Sequence, residues 1–224
     1  MSLQFRMAPE VTAKGVSGCY SLLIGIDQRD ADAAAISAFV DQAVATAQEK
    51  AGDETVQADL AGYDTLHRAF GVPTRKLFAA PQTLMRYVMK RGDIPRIAPL
   101  VDLYNAVSLE TGLALGAHDA RQIEGDVSLR LTSGSERFHP VGANASEAVR
   151  PGEYAYIDDA NDVLCRLEVR QVEKTKVTPV TTDLFLIVQG NPVFQPTRIR
   201  DGHDRLIAVL RQFVGGTFFP LHTA

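Results

Sequence analysis

The chain has 224 residues, of which 46% are hydrophobic and 22% charged, enough apolar material for a buried core and too little charge for a disordered polypeptide. Twenty-three Lys and Arg stand against 27 Asp and Glu, a formal net charge of −4. That balance is a poor footprint for a protein that coats nucleic acid, so any RNA contact must come from a local basic patch.

Residues 21–26 (SLLIGI) read as a short buried strand closed by Asp27. Residues 30–50 read as a helix, with Ile36, Phe39, Val40, Ala43, Val44 and Ala47 at three- and four-residue steps and Asp30 as its N-cap. A second helix is expected over 60–70, where Leu60, Tyr63, Leu66, His67 and Phe70 share one stripe and Gly71 and Pro73 end it. A third runs from Pro81 to Gly92, and a fourth from Pro99 to Thr111 with Gly112 behind it.

After residue 116 the period changes. Val127, Leu129 and Leu131 alternate with polar residues as in a half-buried strand, and further strands are expected at 154–157, 163–169 and 184–188. A last amphipathic helix covers 201–213. Helices first and strands later predict an α+β fold in one domain, its helices packed on a β-sandwich-like system built from the strands after Gly125. Within that domain, residues 1–59 supply an N-terminal strand and helix, 60–190 the core, and 191–224 a C-terminal extension with a helix.

Cys19 and Cys165 are the only cysteines and read as buried or free thiols of a reducing cytoplasm. The first residues lack the basic and apolar regions of a secretory signal, and the apolar runs are too short to span a membrane. There is no phosphate-binding glycine loop, CxxC, HExxH or GxSxG, and the five histidines are dispersed. Neither a cofactor nor a metal is expected.

The informative stretch is 96–130, RIAPLVDLYNAVSLETGLALGAHDARQIEGDVSLR. It runs from a proline-opened helix through a turn carrying GAHD into a strand, IEGDVSLR. Upstream stands AFGVPTRKLFAAPQTLMRYVMKRGDIP, and downstream VLCRLEVRQVEKTKVTPVTTDLFLIVQG. In order and spacing this set resembles the B3/B4 domain of the bacterial phenylalanyl-tRNA synthetase β subunit, over about residues 60–190. The resemblance implies a stand-alone domain that receives the 3′ end of a mischarged tRNA and hydrolyses its aminoacyl ester by holding water and carbonyl in register. The alternatives are a tRNA-binding module without catalysis, or a protein that binds an amino-acid-like small molecule and never meets RNA.

Where the family reads G-x-P-L-H-A-F-D, this chain keeps the preceding asparagine as Asn105, has Gly116 at the histidine's place, and sets His118 where the family has phenylalanine. The family's glycine-rich loop maps onto residues 168–172, so Glu168 and Gln171 replace glycines. The glutamate that reads a tyrosine hydroxyl falls at Ile187, which has no polar atom to offer. A tyrosine-specific activity is therefore not expected.

Each candidate has two readings. His118 either activates water or is a turn residue capping backbone; Asp119 either orients it or bonds its own backbone. Asn105, mid-helix, contacts either the substrate or the GAHD turn. Glu124 and Asp126 are an amine-binding pair or solvated turn acids. By strand alternation Glu168 shares a face with Arg166 and Arg170, either as a pocket wall with Gln171 or as an exposed ion-pair ladder. Arg75, Lys76, Arg86, Lys90, Arg91 and Arg96 are the one basic concentration. They either contact RNA or answer the dipole of a helix end.

Overall fold

The computed structural model describes residues 3–29, 31–73 and 77–223. Its elements are, in chain order, β1 (Phe5–Met7), α1 (Pro9–Thr12), β2 (Ser17–Ile24), α2 (Ala33–Lys50), α3 (Glu54–Ala69), α4 (Ala80–Arg91) and α5 (Pro99–Thr111). There follow β3 (Ala114–Asp119), β4 (Val127–Leu131), β5 (Tyr154–Asp158), β6 (Val163–Arg166), β7 (Arg170–Gln171), β8 (Asp183–Gly190), α6 (Pro196–Val214) and β9 (Thr217–His222). The fold is α+β in one domain.

Local chemistry explains the helix ends. The Asp32 carboxylate accepts from the backbone N–H groups of Ala34 and Ala35, so it caps α2. The expected cap, Asp30, lies outside the described residues. Prolines open α4, α5 and α6, where a missing N–H costs nothing. Gly92 and Gly112 end α4 and α5 at φ of 73° and 74°, a left-handed conformation that glycine adopts without strain.

Two sheets form, in the orders β1-β4-β5-β6-β7 and β3-β8-β2-β9. The second is antiparallel throughout, with Cys19 opposite Val188 and Gly116 opposite Ile187. It is the middle layer. Leu184, Leu186 and Val188 of β8 and Cys19 and Leu23 of β2 join the helices in one apolar cluster. Phe185 and Ile187 of β8 and Tyr20 and Leu22 of β2 join β4, β5 and β6 in the other. Every residue of β8 is buried, which is why its sequence is a continuous apolar run and does not alternate.

Two expectations are corrected here. The helices do not rest on a sheet drawn wholly from strands after Gly125, because β2 and β3 belong to the sheet that carries them. The GAHD segment is not a turn; it completes β3, all six residues of which are buried. For β3 the cause is plain. A strand buried on both faces loses period-two patterning, and glycine beside alanine looks like a turn.

α3 links the layers. Its Tyr63 belongs to the helix-side cluster and its Leu66 to the inter-sheet cluster. The Tyr63 hydroxyl donates toward the Gly112 and Gln189 carbonyls, 3.2 and 3.1 Å away, and accepts from the Ala114 N–H at 2.9 Å. Tyr63→Phe removes these bonds from a fully buried site. We expect a loss of about 1–3 kcal/mol in urea unfolding, the cost of leaving buried backbone groups unpaired.

Candidate functional site

A cavity of about 610 Å³ opens where the helix layer meets both sheets. From α4 it takes Thr83, Leu84 and Tyr87; from α5, Val101, Tyr104 and Asn105. Leu115 and Gly116 of β3 and Ile187 of β8 form the central-sheet wall, and Tyr156, Cys165, Glu168 and Gln171 the wall opposite. A Cβ on Gly116 would come within 3.1 Å of the Gln171 amide nitrogen, so glycine there leaves the space open.

Glu168 is the one acidic residue among the described residues that lines the cavity, and it is 7% exposed. It does not follow the alternation expected from sequence. β6 ends at Arg166, and Leu167 takes a φ of 54°, rare for a residue with a branched side chain. That reversal turns Glu168 inward while Arg166 pairs with Glu153 and Arg170 with Glu147.

Donors converge on the buried carboxylate. His67 Nε2 meets one oxygen; the Tyr154 hydroxyl and, at 3.2 Å, the Gln189 amide meet the other. Tyr156 donates to the Gln189 oxygen at 2.5 Å, and Tyr20 stands 3.2 Å behind Tyr156. Burial raises all three tyrosines above the ordinary phenol range, so each remains a neutral hydrogen-bonding group. Of this network only Glu168 was a sequence candidate. The available signal was His67, a histidine on the apolar stripe of a helix.

Four candidates meet at the cavity: Asn105, Glu168, Gln171 and Ile187. Four lie elsewhere. His118 is fully buried in β3, with Nδ1 2.7 Å from the Thr175 hydroxyl and its ring against Phe185. Burial lowers its pKa to about 3, which keeps it neutral and makes it a poor base near neutral pH. Asp119 does not touch it; that carboxylate accepts from the Arg121 N–H and the Thr181 hydroxyl. Glu124 pairs with Lys174, and Asp126 accepts from the Gln4 N–H and the Arg6 guanidinium.

Of the basic candidates, Arg75 and Lys76 lie outside the described residues. Arg86 stacks on Phe78 at 4.0 Å and Arg91 over Tyr87 at 5.0 Å. Arg96 bonds Asp41 and Asp93. Arg86 and Lys90 border a shallower groove of about 350 Å³ between α3 and α4. Among the described residues, no group of His, Cys, Asp and Glu is arranged to hold a metal. No described helix is long and apolar enough to cross a membrane.

Two packed sheets, a helical layer on one of them and a cavity at their junction define an α+β domain with a cavity between its layers. The family model of the B3/4 domain matches residues 68–209, and the chain belongs to that family. It is 31% identical over 108 residues to the phenylalanine–tRNA ligase β subunit of Shewanella oneidensis, covering 48% of this chain and 13% of that one. The corresponding subunit of a Wolbachia endosymbiont of Brugia malayi is 30% identical over 90 residues, covering 40% and 11%. An N-terminal fragment of the Pyrococcus horikoshii phenylalanyl-tRNA synthetase β subunit shares the fold at a TM-score of 0.55 and 13% identity. That match covers 97% of this chain and 50% of the fragment. The matches thus span a small part of each curated relative. His67 stands one residue before the stretch that matches the family model.

His67 carries the pH prediction. Burial pulls its pKa down, but the bond and charge of Glu168, with Asp64 and Glu153 beyond, outweigh burial and raise it. A proton held more tightly in the folded state stabilises fully below the unfolded value near 6.5 and is lost as pH rises through the raised folded value. The stability advantage of wild type over His67→Gln in chemical unfolding is therefore expected to be full below about pH 6.5 and to shrink as pH rises through the raised folded value. An advantage that grows with pH would contradict this.

Proposed function

We propose that this chain binds the aminoacyl end of a mischarged aminoacyl-tRNA in the cavity and hydrolyses the ester in trans. The cavity itself carries the reading. Its size suits an amino acid with part of a nucleoside, and it brings the amides of Asn105 and Gln171 beside an open glycine wall. The names of the relatives support the aminoacyl-tRNA part of the reading.

An aminoacyl ester is already activated, so orientation and hydrogen-bond donors supply much of the rate without a strong base. Among the described residues no histidine borders the cavity. In this reading the Asn105 amide donates to the ester carbonyl, Gln171 holds the attacking water, and His118 is a structural residue of β3. Ile187 leaves the central-sheet wall without a polar group, so tyrosyl esters are not the preferred substrate.

A second reading is favoured by the state of the basic segment. The Arg86 and Arg91 guanidinium groups are stacked on rings and Arg96 is paired with two carboxylates, in a chain of net charge −4. A small amino-acid-like ligand needs no such cations, and the cavity serves it equally well.

Release of amino acid from a panel of mischarged tRNAs separates the two readings. We expect release from some member, with tyrosyl-tRNA not the fastest, and a drop of about 10² in Asn105→Ala, the scale of losing one preorganised donor. His118→Gln is expected to lower the unfolding midpoint and leave release unchanged. No release from any member of the panel favours the small-molecule reading.

The basic segment has its own test. If Arg86, Lys90 and Arg91 meet phosphates, log K falls by roughly 0.7–0.9 per contact for each tenfold rise in salt. Replacing all three with alanine is expected to flatten that slope; an unchanged slope moves the RNA contact elsewhere.

A further inference from the structure

Glu168 sits at the cavity wall with most of its bonding capacity used and some of it free. An ionised carboxylate accepts at about four lone-pair sites. Three are filled, by His67 Nε2, the Tyr154 hydroxyl and the Gln189 amide. The remaining acceptor position belongs to a residue that lines the cavity.

The charge beside it matters as much as the vacancy. His67 is fully buried within bonding distance of the carboxylate, which holds it toward its protonated form, and the protonated pair presents a countercharged anion. A second cation brought to Glu168 would be driven into a low-dielectric site already holding one. An uncharged donor meets no such penalty. An apolar group would leave the acceptor buried and unpaired, the arrangement that gives the strongest discrimination available to a binding site.

We infer that the cavity takes an amino-acid-type ligand with an aliphatic side chain ending in an uncharged hydrogen-bond donor, a hydroxyl or an amide, read by Glu168 from the wall opposite Ile187. His67 is the positioning residue that holds the carboxylate and, by its own charge, turns cationic groups away. This rests on the proposed binding of an aminoacyl group but not on hydrolysis or on RNA.

Three structural facts support a built site. Leu167 is held in a left-handed conformation immediately before Glu168, and strain of this kind persists where the surroundings over-determine it. The donors converging on the carboxylate come from α3, β5 and β8, so the three layers of the fold fix its direction. The hydrogen bonds also run one way, from Tyr156 to Gln189 and from Gln189 to Glu168, and leave the carboxylate as their common acceptor.

Binding of amino-acid amides to the full chain, measured by calorimetry, tests the inference at two reaches. Threoninamide is compared with valinamide, and 6-hydroxynorleucinamide with norleucinamide and lysinamide. At one reach or both, the hydroxyl member is expected to bind at least tenfold more tightly than its methyl partner, and more tightly than lysinamide. Glu168→Gln, which keeps the size of the side chain, is expected to remove the hydroxyl preference. His67→Gln is expected to move the preference toward lysinamide. Thermal unfolding of both variants separates loss of the site from loss of the fold, and loss of the hydroxyl preference in a folded Glu168→Gln supports the assignment. Equal affinity across hydroxyl, methyl and ammonium members, or no binding by any of them at millimolar concentration, overturns it. A chain that prefers the hydroxyl probes yet releases nothing from tRNA keeps this inference and loses the hydrolase.

Discussion

The fold is organised around one buried carboxylate. Taking Glu168 out of water costs several kcal/mol in free energy of desolvation unless charge and hydrogen bonds return it. The return comes from three elements that are remote in sequence: α3 through His67, β5 through Tyr154 and β8 through Gln189. Each belongs to a different layer or joins two, so the carboxylate is satisfied only when helices, central sheet and outer sheet are all in place. An apolar residue would fill the same space with less demand on its surroundings. A buried ion of this kind is therefore weak evidence for stability and better evidence for a site that needs polarity.

The central sheet explains where the cavity is. Because β2, β3 and β8 are buried on both faces, one face carries the helices and the other packs against β4, β5 and β6. At β3 the helix layer and the outer sheet approach the same strand, and Gly116 leaves a gap between them. Asn105 reaches that gap from α5 and Gln171 from β7. The two amides thus stand on a helix and a strand, with Glu168 fixed between β6 and β7 by its bonds.

Elsewhere the cations of the chain are largely committed to its own anions. Lys174 bonds Glu124, Asp158 and Asp162, and the Arg166 guanidinium donates to Glu153 through Nε and Nη2. Arg130 joins Glu136 and Asn161, and Arg137 joins Asp162. An acidic protein with its arginines paired in this way presents little diffuse positive field. Recognition of a polyanion would depend on a few cations held at a defined place.

Much of the scaffold was legible in the residues. α5 begins at its proline and ends before its glycine, and the stripes of α2 and α4 are periodic, because local backbone chemistry and one-sided burial leave their mark on sequence. The alternation of β4 was equally plain, since one of its faces is less buried. β1 and β9 were missed as short or edge strands, β9 carrying a proline and exposed side chains. β3 was read as a turn because burial on both faces erases alternation. Asn105, Glu168, Gln171 and Ile187 were legible as candidates, but their meeting in one cavity was not. His67 and Glu168 are 101 residues apart, and what joins them is a reversal at Leu167 together with the stacking of three layers. Sequence therefore determined the helices, the overall class and the family pattern, which depend on neighbours along the chain. The tertiary structure alone decided which side chains share the cavity and which, like His118, are sealed in the core. Solvent exposure and long-range pairing are properties of the packed layers, and no local spacing encodes them.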